Sequence, residues 1–162
     1  MQFNMATDYA IRALLYLTRS HPRKVSVTEI GQEMAISQNY LRHITVKLQD
    51  AGFIDTAIGR DGGCWLIKDP SLITLYDIIC TIEGEPAFNR CLMPDHYCNL
   101  NRSHEAVESC PVHRTYQTFQ ELTQTYFTSI SIRDLAVGGN ALPSWVELKL
   151  HKRRPYKKQG EE

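Results

Sequence analysis

The chain has 162 residues, of which 43% are hydrophobic and 22% charged, and its basic and acidic residues balance to zero net charge. This composition is typical of a globular domain and excludes a disordered polymer. The sequence has no apolar run of about eighteen residues and no signal-peptide pattern, so we expect a cytoplasmic protein. In a reducing compartment, clustered cysteines are more often metal ligands or redox centres than disulfides.

The charge is unevenly distributed along the chain. Residues 1–68 carry eight basic and six acidic residues, residues 69–140 carry four and nine, and residues 141–162 carry six and three. The first part is therefore weakly basic, the second acidic and the third basic. A basic N-terminal part is compatible with contacts to nucleic-acid phosphates.

Two helices are predicted first. Apolar residues recur at helical spacing from Ala6 to Leu17, and this pattern ends near Pro22. Ser26 and Glu29 have the spacing of a capping box, which predicts the start of a second, short helix. The N-terminal part of the chain thus begins with helices.

A third helix is predicted over residues 38–51, capped by Ser37 and ended by Gly52. Together with the second helix it forms a helix-turn-helix pattern. Residues 53–57 and 64–67 then read as short strands around a glycine-rich turn at 59–63. The pair predicts a β-hairpin wing, and a helix-turn-helix followed by a wing is a strong indication of DNA binding.

In that architecture the N-terminal part of the third helix faces the base edges, and the wing lies along the backbone or in the minor groove. We expect base-edge contacts from Gln38, Asn39, Arg42 and His43, and phosphate contacts from Ser37, Tyr40, Lys47 and Arg60, with Thr28, Gly62 and Gly63 also at the DNA. The alternative is a winged-helix protein-interaction module whose polar residues are merely solvated.

Beyond the wing, a helix is predicted over residues 76–83 and a long amphipathic helix over 114–131. Since the long helix has no second domain to pack on, we expect it to form a homodimer. Ser131 is placed to cap a final short helix. The predicted domains are a winged helix-turn-helix at 1–84, a cluster-binding loop at 85–113, the dimerisation and terminal helices at 114–138, and a polar basic tail, expected to be disordered, at 139–162.

Three of the five cysteines, Cys91, Cys98 and Cys110, lie in one polar stretch that ends at His113. Buried cysteines would need an apolar setting, and this stretch is rich in Asn, Asp, Glu, Arg and Ser, so a metal site is favoured. A structural zinc site with three cysteines and one histidine is one interpretation. Cys64 and Cys80 lie in a strand and a helix and are expected to be structural.

The sequence resembles the NsrR/IscR superfamily of iron-sulfur winged-helix transcription regulators. The matching segments are TDYAIRALLYL, YLRHITVKLQDAGFI, GRDGG, SIRDLA and the three cysteines, and the first is most similar to the nitric-oxide-sensing NsrR branch. The resemblance covers residues 1 to about 138. It departs from the family in the long gap between Cys98 and Cys110 and in Ile58, where relatives often carry arginine.

The resemblance implies that Cys91, Cys98 and Cys110 bind a 2Fe-2S or 4Fe-4S cluster. The fourth ligand would be Asp8 of the partner subunit, as in NsrR-like members, or His113, as in IscR-like members. Asp8 is favoured because a carboxylate binds iron weakly and suits a cluster that must react.

The expected function is therefore a homodimeric, cytoplasmic repressor of nitrosative-stress genes that leaves its DNA operator when nitric oxide reacts with the cluster. Two alternatives remain open, a sensor of iron or redox status with the same fold and a zinc-stabilised interaction module without sensing. An enzyme is not expected, because no nucleophile and base pair, phosphate-binding loop or paired catalytic carboxylates occur in the sequence.

Overall fold

The computed structural model describes residues 3–59, 62–95, 98, 100 and 103–138. The helices are α1 (Met5–Ser20), α2 (Val27–Met34), α3 (Gln38–Asp50), α4 (Leu75–Glu83), α5 (His104–Glu108), α6 (Pro111–Thr128) and α7 (Ile132–Ala136), and the strands are β1 (Ile54–Ala57) and β2 (Gly63–Leu66). The predicted fold class is confirmed: the chain is mainly helical, with a winged helix-turn-helix followed by a long helix. None of the helices in the described ranges is both long and apolar enough to span a membrane.

The helix-turn-helix is built around one apolar core. Leu14 of α1, Ile30 of α2, and Leu41 and Leu48 of α3 are fully buried in it. Leu41 and Leu48 lie on one face of α3 because helical residues two turns apart point the same way. The opposite face of α3 is left exposed.

The turn between α2 and α3 is tight. Ala35 has a left-handed backbone with φ of 54° and donates its N–H to the carbonyls at the end of α2. A Cβ atom on Gly31 would lie 2.8 Å from the carbonyl oxygen of Ile36. Ser37 then caps α3, its hydroxyl accepting the Tyr40 N–H at 3.4 Å. These local features fix the angle at which α3 leaves the core.

The predicted capping box of α2 forms only in half. The Ser26 hydroxyl accepts the Glu29 N–H at 3.0 Å. The Glu29 carboxylate does not return to Ser26 but accepts from the Arg23 guanidinium at 2.6 and 3.0 Å and from the Tyr16 hydroxyl at 2.9 Å. A charged donor makes the stronger bond, which explains why the expected reciprocal bond is absent here. The bonds from Arg23, and then from Tyr16, lower the pKa of the Glu29 carboxyl.

The wing is a β1–β2 hairpin in which Ile54 pairs with Leu66 and Ala57 with Gly63. The strands agree with the prediction to within one residue at their ends. Sequence reasoning did not identify a third contribution to this sheet, an antiparallel bridge between Val25 and Cys64. It ties the hairpin to the segment before α2, so the wing has a fixed base.

The helices after the wing return to α1. Thr74 and Ser131 each cap a helix with a complete capping box, and they face each other in an antiparallel bridge. The bridge joins the starts of α4 and α7. Helix α7 also packs beside α1, and its Ile132 is fully buried.

The long helix begins three residues earlier than predicted and ends three residues earlier. Pro111 occupies its first turn, a position where proline's missing N–H costs nothing. The short helix α5, within the cysteine loop, was not predicted.

Candidate DNA-binding surface and cysteine pocket

The exposed face of α3 carries most of the side chains predicted to contact DNA. Thr28, Ser37, Gln38, Asn39, Tyr40, Arg42, His43 and Lys47 are all exposed. Gln38 and Arg42 lie one turn apart on α3, and so do Asn39 and His43. This face therefore combines amide, imidazole and guanidinium groups, the types of side chain that read base edges.

Three of these residues also have contacts inside the chain. The Ser37 hydroxyl caps α3. The Tyr40 ring packs edge-on against Tyr9 of α1, with 5.7 Å between ring centroids. The Lys47 ammonium donates to the carbonyl oxygen of Ile82 in α4 at 2.8 Å. The outer face of α3 is thus held by both α1 and α4.

The wing presents a narrow turn. The Gly62 N–H donates to the Gly59 carbonyl at 3.1 Å. Gly63 has φ of 144°, and a Cβ atom there would lie 2.8 Å from the Val25 carbonyl oxygen. Ile58 is fully exposed beside the turn. Arg60 lies outside the described residues, so its DNA contact stays a prediction.

The second feature is a cavity where the predicted metal ligands come together. Cys91, Cys98, Cys110 and His113 line one cavity of about 440 Å³. Cys91 belongs to a single turn of 3₁₀ helix, and Cys110 and His113 lie at the start of α6. Apolar walls come from Leu100, Val107 and Val112. We call this cavity, with its three cysteines and His113, the cysteine pocket.

His113 is the most buried of the four candidate ligands in the pocket, with 7% of its surface exposed. Its Nδ1 atom is buried and has no hydrogen-bond partner among the described residues. A buried polar atom without a partner costs free energy of about 1–3 kcal/mol. Such an atom in a cysteine-lined cavity suits a metal ligand, since coordination would supply the missing partner.

Asp8 has a different setting. It is on α1, away from the residues that line the cysteine pocket. Its carboxylate accepts from the Arg12 guanidinium at 2.8 Å, and both side chains are 54% exposed. Asp8 is therefore accessible to another molecule. Among the described residues, no contact joins Asp8 to the cysteine pocket of the same chain.

Cys64 and Cys80 do not line the cysteine pocket, and their structural role stays a prediction. Cys64 is buried in the core, and burial raises the pKa of its thiol. Burial also raises the pKa of the Cys80 thiol, although a hydrogen bond with Tyr76 opposes this. Both thiols therefore stay protonated at neutral pH and are weak metal ligands.

The donor set consists of three thiols and one imidazole. These are donor types that hold iron-sulfur clusters and zinc ions, so the residues present are compatible with either group. Within the described ranges, no three His, Cys, Asp or Glu side chains converge closely enough to hold one ion.

Sequence reasoning missed the residues that build the wall of the pocket and attach it to α6. Val107 is 2% exposed and belongs to the unpredicted α5. Phe88 packs against Phe119 with 4.7 Å between ring centroids, and its N–H donates to Gln120 at 3.3 Å. In the sequence, Val107, which lies three residues before Cys110, was the only signal for this wall. No local signal pointed to the pairing of Phe88 with α6.

Several known proteins are similar to this chain. The family model Rrf2, described as an iron-dependent transcriptional regulator, matches residues 3–138. A protein of Aquifex aeolicus named as a helix-turn-helix transcriptional regulator is 31% identical over 135 residues, which are 83% of this chain and 91% of that protein. NsrR of Bacillus licheniformis is 34% identical over 103 residues, 62% of this chain and 72% of that protein.

A solved structure of IscR from T. potens has the same fold. Its TM-score is 0.66 at 19% identity, and the match covers 85% of this chain and 88% of that one.

Proposed function

This chain belongs to the Rrf2 family of iron-dependent transcriptional regulators, and on that basis we propose that it is a repressor whose iron-sulfur cluster senses nitric oxide and controls operator binding. The members of this family are DNA-binding transcriptional regulators, so the chain is a regulator and not an enzyme. The cluster, the signal and the repressor role are our proposal.

The observation that carries the proposal is the cysteine pocket. Three cysteines and a buried histidine, spread over 23 residues of sequence, line one cavity. Thiolates are the ligands that iron-sulfur clusters use most. The Nδ1 atom of His113 has no partner in the described part of the chain, which supports a bound group because coordination would satisfy that atom.

The two candidates for the fourth ligand, Asp8 and His113, differ in their surroundings. The sequence favours Asp8 of the partner subunit, and its exposure on α1 is compatible with reaching another copy. However, Asp8 is already paired with Arg12, whereas His113 is in the pocket and its Nδ1 atom has no partner among the described residues. We therefore propose His113 as the fourth ligand within one chain, and Asp8 as the alternative.

When bound, the cluster would supply iron that nitric oxide attacks. The residues of the chain would turn this event into a change in DNA binding. Loss of ligation at Cys91 or Cys110 would loosen the loop that joins α4 to α6, and with it the orientation of α3. A ligand shifts such an equilibrium only by its difference in affinity for the two states, and a few kcal/mol is sufficient.

DNA recognition would use the exposed face of α3. Gln38, Asn39, Arg42 and His43 are proposed to contact base edges, and Thr28, Ser37 and Tyr40 to contact phosphates, with Arg60, Gly62 and Gly63 of the wing beside them. Sequence-specific operators are read by two copies related by a two-fold axis.

The second copy would cover α6. Val112, Tyr116, Phe119 and Leu122 are 59%, 39%, 51% and 59% exposed. At intervals of three and four residues they form one stripe along the helix. An exposed apolar stripe of this length is typical of a surface that another chain covers, and a homodimer satisfies it on both copies at once.

The test begins with protein purified without oxygen. We would measure iron, acid-labile sulfide and zinc, and record the visible spectrum. A binding duplex would be selected from a random-sequence library, and nitric oxide would be added stepwise while the spectrum and DNA binding are followed together. A brown protein that bleaches and releases the duplex over the same additions supports the proposal. A colourless protein with one zinc per chain, indifferent to nitric oxide, contradicts it.

The buried histidine also favours a second candidate, a regulator of the same fold that reports iron or redox status. The resemblance associates histidine ligation with IscR-like members. In that case iron chelation or oxygen, and not a stoichiometric amount of nitric oxide, would change DNA binding. The same titration, repeated with a chelator and with air, distinguishes the two signals.

A further inference from the structure

The end of α4 is in contact with the DNA-facing helix. Ile82 is the second-last residue of α4, and its carbonyl oxygen is among those that have no partner within the helix. Lys47 of α3 donates its ammonium to this oxygen at 2.8 Å. A cation is also favoured there because the C-terminus of a helix is the negative end of its dipole.

The same end of α4 also holds α1. The Glu83 carboxylate accepts the backbone N–H of Asn4 at 2.9 Å and the hydroxyl of Thr7. Thr7 is 2% exposed, so this bond lies at the edge of the core. Two consecutive residues of α4 therefore bind α3 and α1.

Seven residues separate Glu83 from Cys91. Within that segment, Phe88 is attached to α6 through the Phe119 ring and the Gln120 side chain. One end of this short segment is therefore the α4 terminus held by Lys47, and the other end is a wall of the cysteine pocket. A displacement of the pocket can reach α3 by this route without crossing the core.

We infer that Lys47 is a positioning residue, which ties the orientation of α3 to the end of α4 and thereby couples the cysteine pocket to operator binding. This inference rests on the proposed regulation by the pocket. It differs from the expectation that Lys47 contacts a DNA phosphate. In the structure its ammonium is directed to Ile82, so its effect on DNA binding arises from the placement of Gln38, Arg42 and His43.

The two roles of Lys47 predict different salt dependences. A phosphate contact contributes about 0.9 to the slope of log affinity against log salt concentration. A positioning residue contributes nothing to that slope. It changes the ratio between the DNA affinities of the cluster-loaded and the cluster-free protein.

The experiment compares cluster-loaded and cluster-free protein on the selected duplex at several salt concentrations. Lys47→Met keeps the aliphatic chain and removes the ammonium, and Lys47→Arg restores a cationic donor. Arg42→Met is the matched control, since Arg42 is an exposed cation on the same helix with no contact to α4 in the described contacts.

We expect the wild-type ratio of affinities to be about tenfold or more, within the usual range of coupling between sites. Lys47→Met should bring the ratio of affinities close to one and leave the slope of log affinity against log salt concentration unchanged. Lys47→Arg should restore most of the wild-type ratio. Arg42→Met should weaken both forms by the same factor. If Lys47→Met instead weakens both forms equally and lowers the slope by about 0.9, Lys47 is a phosphate contact and the inference is wrong.

Hydrogen exchange separates this inference from the proposed function. In cluster-free Lys47→Met, the amides of residues 83–85 should exchange faster than in the wild type, because the end of α4 has lost its cap. Unchanged exchange would show that the contact between Lys47 and Ile82 does not stabilise the end of α4, and the inference would then be wrong. If the two wild-type forms bind DNA equally, the proposed regulation fails. In that case, faster exchange in Lys47→Met would show that the Lys47 contact stabilises the end of α4 without coupling the pocket to DNA binding.

Discussion

The ring of Tyr9 in α1 packs edge-on against the ring of Tyr40 in α3, with 5.7 Å between the centroids and 86° between the planes. Tyr9 is next to Asp8 in sequence, and Tyr40 is on the exposed face of α3 that we propose contacts DNA. The pair therefore joins the start of α1 directly to α3.

Replacing either ring should weaken this join. An edge-to-face aromatic pair contributes about 0.5–1.5 kcal/mol beyond burial, so Tyr9→Leu and Tyr40→Leu should each lower the free energy of unfolding by about 1 kcal/mol. Urea denaturation measures this. The double variant should cost less than the sum of the single variants, and strict additivity would mean that the rings do not interact.

Gly63→Ala should damage the wing. Gly63 has a positive φ, and the new Cβ atom would lie 2.8 Å from the Val25 carbonyl oxygen, in backbone that cannot move aside without breaking the Val25–Cys64 bridge. We expect a loss of about 2–4 kcal/mol in the free energy of unfolding. Gly59→Ala is the control, since φ is also positive there but no atom lies within 4 Å. It should cost clearly less. Equal losses would show that backbone strain alone, and not the contact with Val25, decides the effect.

Leu122→Glu should dissociate the proposed dimer. It places a charge in the middle of the exposed stripe on α6, where Leu122 is 59% exposed in the single chain. The fold of one chain should be unaffected because the side chain packs on no other part of the described core. Light scattering coupled to size-exclusion chromatography measures the mass. Gln117→Glu, on the opposite side of α6, should leave the mass unchanged, and a wild-type protein of single-chain mass would contradict the dimer.

His113→Ala should change the cluster if His113 is the fourth ligand. We expect a shifted visible spectrum and less iron per chain, because the Nδ1 ligand is lost while the three thiolates remain. Asp8→Ala should keep the wild-type spectrum. The reverse pattern would assign the fourth position to Asp8 of the partner subunit.

Matched cysteine variants test the pocket itself. Cys110→Ser should purify with little iron, and Cys80→Ser should retain it, since Cys80 does not line the cavity.

Stability in acid should depend on Glu29. Hydrogen bonds from Arg23 and Tyr16 lower its folded pKa below the ordinary value of 4.5, so the ionised form stabilises the folded state above that pH. This contribution is lost as the pH falls through the lowered folded value. Glu29→Gln should therefore be less stable than the wild type at neutral pH and should lose less stability on acidification. Thermal unfolding between pH 7 and 3 measures this, and parallel pH profiles for the two proteins would rule it out.

The sequence alone determined the helices other than α5, most of their caps and the hairpin of the wing. Ser26, Ser37 and Ser131 each accept from the N–H group three residues ahead, and Gly52 and Gly84 end helices through their own backbone conformation. Such signals are local, so they can be read from neighbouring residues. The three cysteines likewise indicated a metal site because they are close in sequence.

Only the tertiary structure decided which groups are paired and which are left over. Glu29 bonds to Tyr16, in addition to Arg23, because α1 packs against α2, and Lys47 bonds to Ile82 because α3 packs against α4. His113 and Asp8 were both candidates in the sequence, which favoured Asp8. The fold buried His113 in the cysteine pocket, with no partner for its Nδ1 atom among the described residues, and left Asp8 on the surface with Arg12. The burial of a side chain and the choice of its hydrogen-bond partner depend on residues far apart in the chain. The packed core brings such residues together, and no local sequence pattern encodes this.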